Sequence, residues 1–262
     1  MTHVLVKLGG TLLDTPESRA TLAVQIAAAR RRGVAITVVH GGGKQMTRFL
    51  AERGIESRFV NGLRVTTPET IDAVLKVFAG SVNHELVAAL NAAGALSVGL
   101  SGIDALLAEA EEMDPALGAV GRVTRVNCRL IELLVENGFV PSIACVASDR
   151  AGRIYNVNAD QMAVACAAAL PAGQLIFLTD VPGVLDASGQ VRPLLTGPES
   201  AELIASGVAT GGMQAKLNAA ISALRGGVEQ VVIAPGAAEN VLPRLLAGEP
   251  VGTRMVLEEV VA

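Results

Sequence analysis

Two lysines stand beside paired glycines at opposite ends of the chain. Lys7 lies inside the apolar run His3–Leu8, just before Gly9-Gly10, and Lys216 lies about one turn beyond Gly211-Gly212. A lysine in a buried strand is poorly placed unless an anion meets it. Glycines next to it let backbone N–H groups approach that anion closely. A third cluster, His40-Gly41-Gly42-Gly43, ends the apolar run Val34–Val39 and leads straight into a helical segment. Free N–H groups and the dipole at such a helix start also favour an anion. The known phosphate motifs do not fit. The Walker pattern needs Ser or Thr where Gln45 stands and glycine where Val38 stands, and the dinucleotide pattern needs glycine at Met46. What remains is a general anion site. Taken alone, Lys7 equally fits a lysine snorkelling from a strand end, and Lys216 a solvated helix lysine.

Further polar residues fall at turn and helix starts. Asn61-Gly62 between short β-prone pieces marks a hairpin, and Arg64 follows it. Arginine suits bidentate capture of a carboxylate, although a hairpin arginine is more often solvated. Asn156, Asn158 and Asp160 alternate into an Ala-rich helix, where Asn158 reads as an N-cap and Asp160 as first-turn capping chemistry. Asp180-Val181-Pro182-Gly183-Val184-Leu185 follows the apolar run Gln174–Thr179, which suits a crevice at the carboxyl edge of a parallel sheet.

The elements that must hold these residues alternate strand and helix from the first residues on. The reading is α/β, a mostly parallel central sheet sandwiched by helices, in two lobes. The break Pro171-Ala172-Gly173 divides residues 1–172 from 173–262. Helical stripes are expected over Pro68–Ala79 and Ser81–Ala93, and residues 101–126 look like an excursion between short strands. At 262 residues, 51% hydrophobic and 18% charged, the chain can bury a sizeable core. A net charge of −4, Tyr155 as the lone tyrosine and no tryptophan leave no footprint for nucleic acid. Cys128, Cys145 and Cys166 are widely spaced, which argues against a metal cluster or disulfide framework and fits a reducing cytoplasm. No secretory signal is seen, and the longest apolar stretch, Met162–Leu170, is short of a membrane span. A cytoplasmic location is the expectation.

In order, the chain carries Lys-Leu-Gly-Gly, His-Gly-Gly-Gly, Asn61-Gly62-Leu63-Arg64-Val65-Thr66, Asn156-Val157-Asn158-Ala159-Asp160, Asp-Val-Pro-Gly and Gly-Gly-Met-x-x-Lys. That series resembles the amino-acid kinase family over essentially the whole chain, and within it the branch acting on N-acetylglutamate. The resemblance implies ATP with Mg²⁺, N-acetyl-L-glutamate as acceptor, and an acyl phosphate product. It implies that Lys7 and Lys216 approach the transferring phosphoryl group from the two lobes, with Asp160 holding them. It implies phosphate contacts from Gly9 and Gly10, acceptor contacts from Gly42, Gly43, Arg64 and Asn156, and a nucleotide pocket at Asp180–Leu185 and Val208, Ala209 and Thr210. Arginine-inhibited members carry an extra helix before the first strand. Here that strand begins near residue 3, so a homodimer without arginine feedback is expected. Ile103 stands where many relatives have lysine. The nearest alternatives are a sister kinase for an aminoadipate derivative and a catalytically silent regulator, although the latter would be expected to have lost Lys7, Asp160 or Lys216.

Overall fold

The computed structural model describes residues 3–170 and 172–257, so Pro171 of the expected lobe boundary lies outside the described residues. The strands are β1 (His3–Leu8), β2 (Ala35–His40), β3 (Phe59–Val60), β4 (Leu63–Arg64), β5 (Ser97–Ser101), β6 (Ala108–Glu112), β7 (Val120–Val126), β8 (Val140–Ala144), β9 (Val146–Ser148), β10 (Ile154–Val157), β11 (Ala172–Thr179), β12 (Leu194–Thr196), β13 (Gln230–Pro235) and β14 (Thr253–Val256). The helices are α1 (Pro16–Arg31), α2 (Gly43–Ala51), α3 (Pro68–Val74), α4 (Asn83–Ala92), α5 (Arg129–Glu136), α6 (Ala159–Ala169), α7 (Gly197–Ala205), α8 (Gly211–Arg225) and α9 (Val241–Leu246).

Every residue of β1 is buried, so β1 has to lie mid-sheet with both faces covered. It pairs in parallel with β2 on one side and β11 on the other. The sheet has eight strands in the order β12-β14-β13-β11-β1-β2-β8-β5. All neighbours are parallel except β13 with β14. The two strands at one end of the sheet, β12 and β14, therefore run against the other six, and the sheet is mostly parallel. The β1–β11 pairing carries the sheet without a gap across residue 172. One contiguous apolar cluster also spans both halves of the chain.

Local chemistry explains where the helices begin. Thr15 accepts from Ser18 N–H ahead of Pro16, and Thr67 accepts from Thr70 N–H ahead of Pro68. Thr196 and Glu199 form a reciprocal capping box at α7. The two stripes expected over 68–93 are a single 25-residue helical rod, Pro68–Ala92. Gly80 does not break it; the stretch Leu75–Val82 widens into π-helical turns instead. By length and composition this rod is long and apolar enough to cross a bilayer, unlike Met162–Leu170. Its apolar residues Val74, Val77, Phe78, Val82, Leu86 and Leu90 are instead packed into the core.

Residues 101–126 have a structural task. β6 and β7 pair antiparallel and close with β9 and β10 into a small four-stranded barrel. β7 pairs with β10 so that Val120 faces Asn156 in register. The excursion thus builds the wall that presents Asn156. Its outer charges are paired, Arg122 with Glu111 inside the stretch and Glu109 with Arg150 beyond it by a two-pronged bond at 2.7 Å.

Candidate active site

The carboxyl ends of the parallel strands converge on one edge of the sheet, where an open α/β sheet offers its crevice. Side chains alternate along β1, so Lys7 shares a face with Leu5 and His3. Helix α6 packs against β1, and α8 packs against α6. Asn158 caps α6 by accepting from the N–H groups of Asp160 and Gln161 at 2.9 and 3.2 Å. That cap puts the Asp160 carboxylate in the first turn, where the helix dipole favours it. Lys7 Nζ lies 2.6 Å from Asp160 Oδ1. Lys216 Nζ, carried by α8, lies 3.9 Å from Asp160 Oδ2. Two ammonium groups from opposite ends of the chain thus share one carboxylate. Both line the same cavity of about 620 Å³ together with Gly9, Gly10, Gly43, Arg64 and Asp180.

The glycine turns form one surface of this cavity. A Cβ on Gly10 would meet the Gly43 nitrogen at 3.3 Å, so the two turns touch backbone to backbone. Gln45 ties them by donating to Gly10 O at 3.3 Å. A Cβ on Gly42 would strike the Phe78 ring at 2.9 Å, which explains the glycine there without any unusual φ. The N–H groups of Gly42 and Gly43 donate to no backbone or side-chain acceptor among the described residues.

Arg64 is not a solvated hairpin residue. Asn61 (φ 49°) and Gly62 (φ 78°) make the tight turn between β3 and β4, and Arg64 is folded inward to 8% exposure. Its Nη1 donates to Ser57 Oγ, and its Nη2 donates to Gly43 O at 3.1 Å and Thr47 Oγ1 at 2.8 Å. Phe59 lies under the guanidinium, 4.6 Å from ring centroid to Cζ. These partners are all neutral, and no carboxylate pairs with Arg64 among the described residues. Burial holds its proton affinity below the ordinary guanidinium value. A buried cation with neutral neighbours and unassigned Nε–H is arranged for an incoming anion. Arg64 also lines a second, smaller cavity of about 150 Å³ with Gly41, Gly42, Gly43, Val120, Cys145 and Asn156. Asn156 Nδ2 donates to Thr66 Oγ1 at 3.0 Å, which fixes the amide on the cavity wall. Cys145 closes the floor; burial pushes its thiol up to about 12, against a smaller opposing influence from Lys7, so it is no nucleophile near neutral pH.

Of the expected nucleotide stretch, Asp180 lines the larger cavity. Val181, Pro182, Gly183, Val184 and Leu185 continue beyond it and do not form its wall. Val184 is fully buried and its N–H donates to Thr253 Oγ1 at 2.8 Å, so it is scaffold for that loop. Ala209 is likewise buried, whereas Val208 and Thr210 are exposed just ahead of α8. Thr47, Ser57 and Phe59, which hold Arg64, escaped sequence reading. The only local cue was their clustering around Arg64 and Gly43, and no periodicity marks it.

Residues 2–235 match the model of the amino acid kinase family. An acetylglutamate kinase of Solibacter usitatus (strain Ellin6076) is 72% identical over 97% of this chain and 98% of its own length. Among solved structures, smu.665 from Streptococcus mutans UA159 superposes with a TM-score of 0.83 at 30% identity, over 98% of this chain and 99% of that one. An N-acetylglutamate synthase from Neisseria gonorrhoeae superposes with a TM-score of 0.88 at 24% identity, over 100% of this chain but 61% of that one, a likeness of fold alone. Family model, near-full-length identity and shared fold agree, and the chain belongs to the amino acid kinase family.

Proposed function

We propose that the chain transfers the γ-phosphoryl group of ATP to the side-chain carboxylate of N-acetyl-L-glutamate, giving N-acetyl-L-glutamyl 5-phosphate for arginine biosynthesis. The observation that carries this reading is the pair Lys7 and Lys216 on one carboxylate, Asp160, facing a cavity that also holds Arg64. The 72% identical acetylglutamate kinase supports the choice of acceptor.

The chemistry follows from charge. A carboxylate oxygen attacks the γ-phosphorus as the bond to the β,γ-bridging oxygen breaks, and ADP leaves with that oxygen. The acceptor is already ionised at pH 7, so no proton has to be removed. The transition state spreads charge over the equatorial oxygens, and catalysis reduces to positioning and electrostatic stabilisation. Lys7 reaches the migrating group from β1 and Lys216 from α8. Asp160 holds both ammonium groups in register until phosphate oxygens replace it. Gly10, Gly42 and Gly43 offer backbone N–H groups, whereas the Gly9 N–H is already donated to Leu178 O at 3.0 Å. Arg64 takes the α-carboxylate and Asn156 the acetylamino end of the acceptor.

Residues 1–172 would then serve as the acceptor lobe and 173–262 as the nucleotide lobe. Asp180–Leu185 and Val208–Thr210 flank the adenosine. The cavity is dominated by cations, and no group of three His, Cys, Asp or Glu side chains able to cage a metal exists among the described residues. That donor set fits Mg²⁺ carried on the triphosphate and its water, with Asp180 the lining carboxylate not engaged by a cation. Bound there, Mg²⁺ would neutralise phosphate charge. A second copy of the chain is the proposed partner, since β5 ends the sheet as an edge strand next to exposed Leu96, and the mass in solution tests it. The reduced state of Cys128, Cys145 and Cys166 suits a cytoplasmic setting.

A coupled ADP-release assay on two acceptors tests the reading. N-acetyl-L-glutamate is expected to exceed the one-methylene-longer aminoadipate derivative by about 10–200-fold in kcat/KM, the range one methylene commands in a pocket. A preference for the longer acid would move the chain to the sister activity. Turnover of neither would leave the silent regulator standing.

A further inference from the structure

Beneath the triple-glycine turn lies a buried polar network that the phosphoryl-transfer reading does not use. His40, the last residue of β2, is fully buried, as is Ser142 of β8, and Asn83, at the start of α4, is 3% exposed. Asn83 Nδ2 donates to Leu100 O at 3.1 Å, which fixes the amide with Oδ1 turned to the other two. Ser142 Oγ donates to that Oδ1 at 3.0 Å, and His40 Nε2 lies 3.1 Å from it. The other ring nitrogen, Nδ1, lies 2.9 Å from Gly41 O.

The two acceptors differ in need. Asn83 Oδ1 already has the Ser142 hydroxyl. Gly41 O has no donor besides His40 among the described residues. A buried carbonyl without a donor is costly, so the ring proton is worth most on Nδ1. The consequence reaches the site through the peptide plane. In a trans peptide the carbonyl of Gly41 and the N–H of Gly42 lie on opposite edges of one rigid plane. Holding the carbonyl toward the buried network turns the Gly42 N–H away from it, toward the cavity that Gly41, Gly42 and Gly43 line.

We propose that His40 is a positioning residue: its Nδ1–H holds the Gly41 carbonyl, so that the Gly42 N–H is aimed at the anion before it arrives. The proposal rests on the phosphoryl-transfer reading for its kinetic consequence. His40 touches neither ligand. Its value is preorganisation, since a donor already oriented needs no rearrangement when charge develops.

The test exploits two amides that mimic the ring one nitrogen at a time. In the full-length chain, His40→Asn keeps a donor near the Nδ1 position, and His40→Gln keeps one near Nε2. His40→Gln is expected to lower kcat by about tenfold while KM for ATP stays within about twofold, because one oriented donor is lost and no ground-state contact. His40→Asn is expected to recover most of that kcat. Affinity for ADP with aluminium fluoride and acceptor should fall in step with kcat, while affinity for ADP alone should not. Equal losses in both variants, or full activity in His40→Gln, would overturn the proposal. A second measurement needs no variant. Nitrogen NMR of the ¹⁵N-histidine-labelled wild type, which has three histidines, should show the His40 ring, the fully buried one, with a protonated Nδ1. A bare Nδ1 there would overturn it even if neither variant folds. Failure of the wild type to release ADP would count against the phosphoryl-transfer reading and leave the NMR result to decide the hydrogen bond.

Discussion

Lys216→Ala is expected to lower kcat by about 10²–10³-fold, the loss seen when one preorganised donor is removed from a developing oxyanion. KM for ATP should change only severalfold, because the contact strengthens as charge moves onto the equatorial oxygens. The geometry supports this division. Lys216 Nζ is 3.9 Å from Asp160 Oδ2, a loose approach compared with the 2.6 Å of Lys7, so it is free to swing to a phosphate oxygen. Its side chain is 20% exposed and belongs to no apolar cluster, so the fold should lose little and Tm should hold. Steady-state kinetics with a parallel melting curve separates the two effects. Near-normal turnover would remove Lys216 from the mechanism.

Asp160→Asn is expected to be as damaging for a different reason. The amide is nearly isosteric and can still accept a hydrogen bond, but the charge that holds two ammonium groups together is gone. Lys7, 8% exposed, would then face Lys216 with no counter-charge in the free enzyme. Breaking a buried pair from one side leaves the other charge uncompensated. A loss of about 1–2 kcal/mol in the free protein is expected, below the fully buried range because the cleft is open to water, with kcat down about 10²-fold. Saturating ADP with inorganic phosphate should recover part of the lost Tm, since their anionic oxygens supply the missing charge to the native state alone. A melting-temperature series with and without those ligands tests this. Equal Tm deficits in both series would mean that Asp160 serves the fold rather than the lysines.

The parts of this site that were legible in the sequence are those encoded locally. Lys7 stood out because a six-residue strand buried along its whole length leaves a cation nowhere to go except its end. Asn61-Gly62 announced its turn because both residues adopt positive φ, which few others tolerate. Asn158 was readable as a cap for the same local reason. What could not be read was set by packing. Nothing in residues 211–225 distinguishes Lys216 from a solvated helix lysine; it becomes special because α8 lies against α6. Arg64 turned inward because Gly43 O and Thr47 in the first turns of α2 and Ser57 ahead of β3, all outside Arg64's own strand, converge on it. The 101–126 stretch read as an excursion because its strands are short and its charges pair across strands, leaving no apolar stripe to follow. Gly80 suggested a break in the long helix, yet the chain absorbs it in π-helical turns that bring Phe78 onto Gly42.

The central claim is that two ammonium groups, one from β1 and one from α8, meet on a single phosphoryl group in flight. The most direct measurement is a crystal structure with ADP, Mg²⁺, aluminium fluoride and N-acetyl-L-glutamate. It is predicted to show the Nζ atoms of Lys7 and Lys216 each within about 3.2 Å of a fluoride on the same aluminium, with Asp160 behind both. Fluoride contacts from only one of the two lysines, with the other turned to solvent, would contradict the claim.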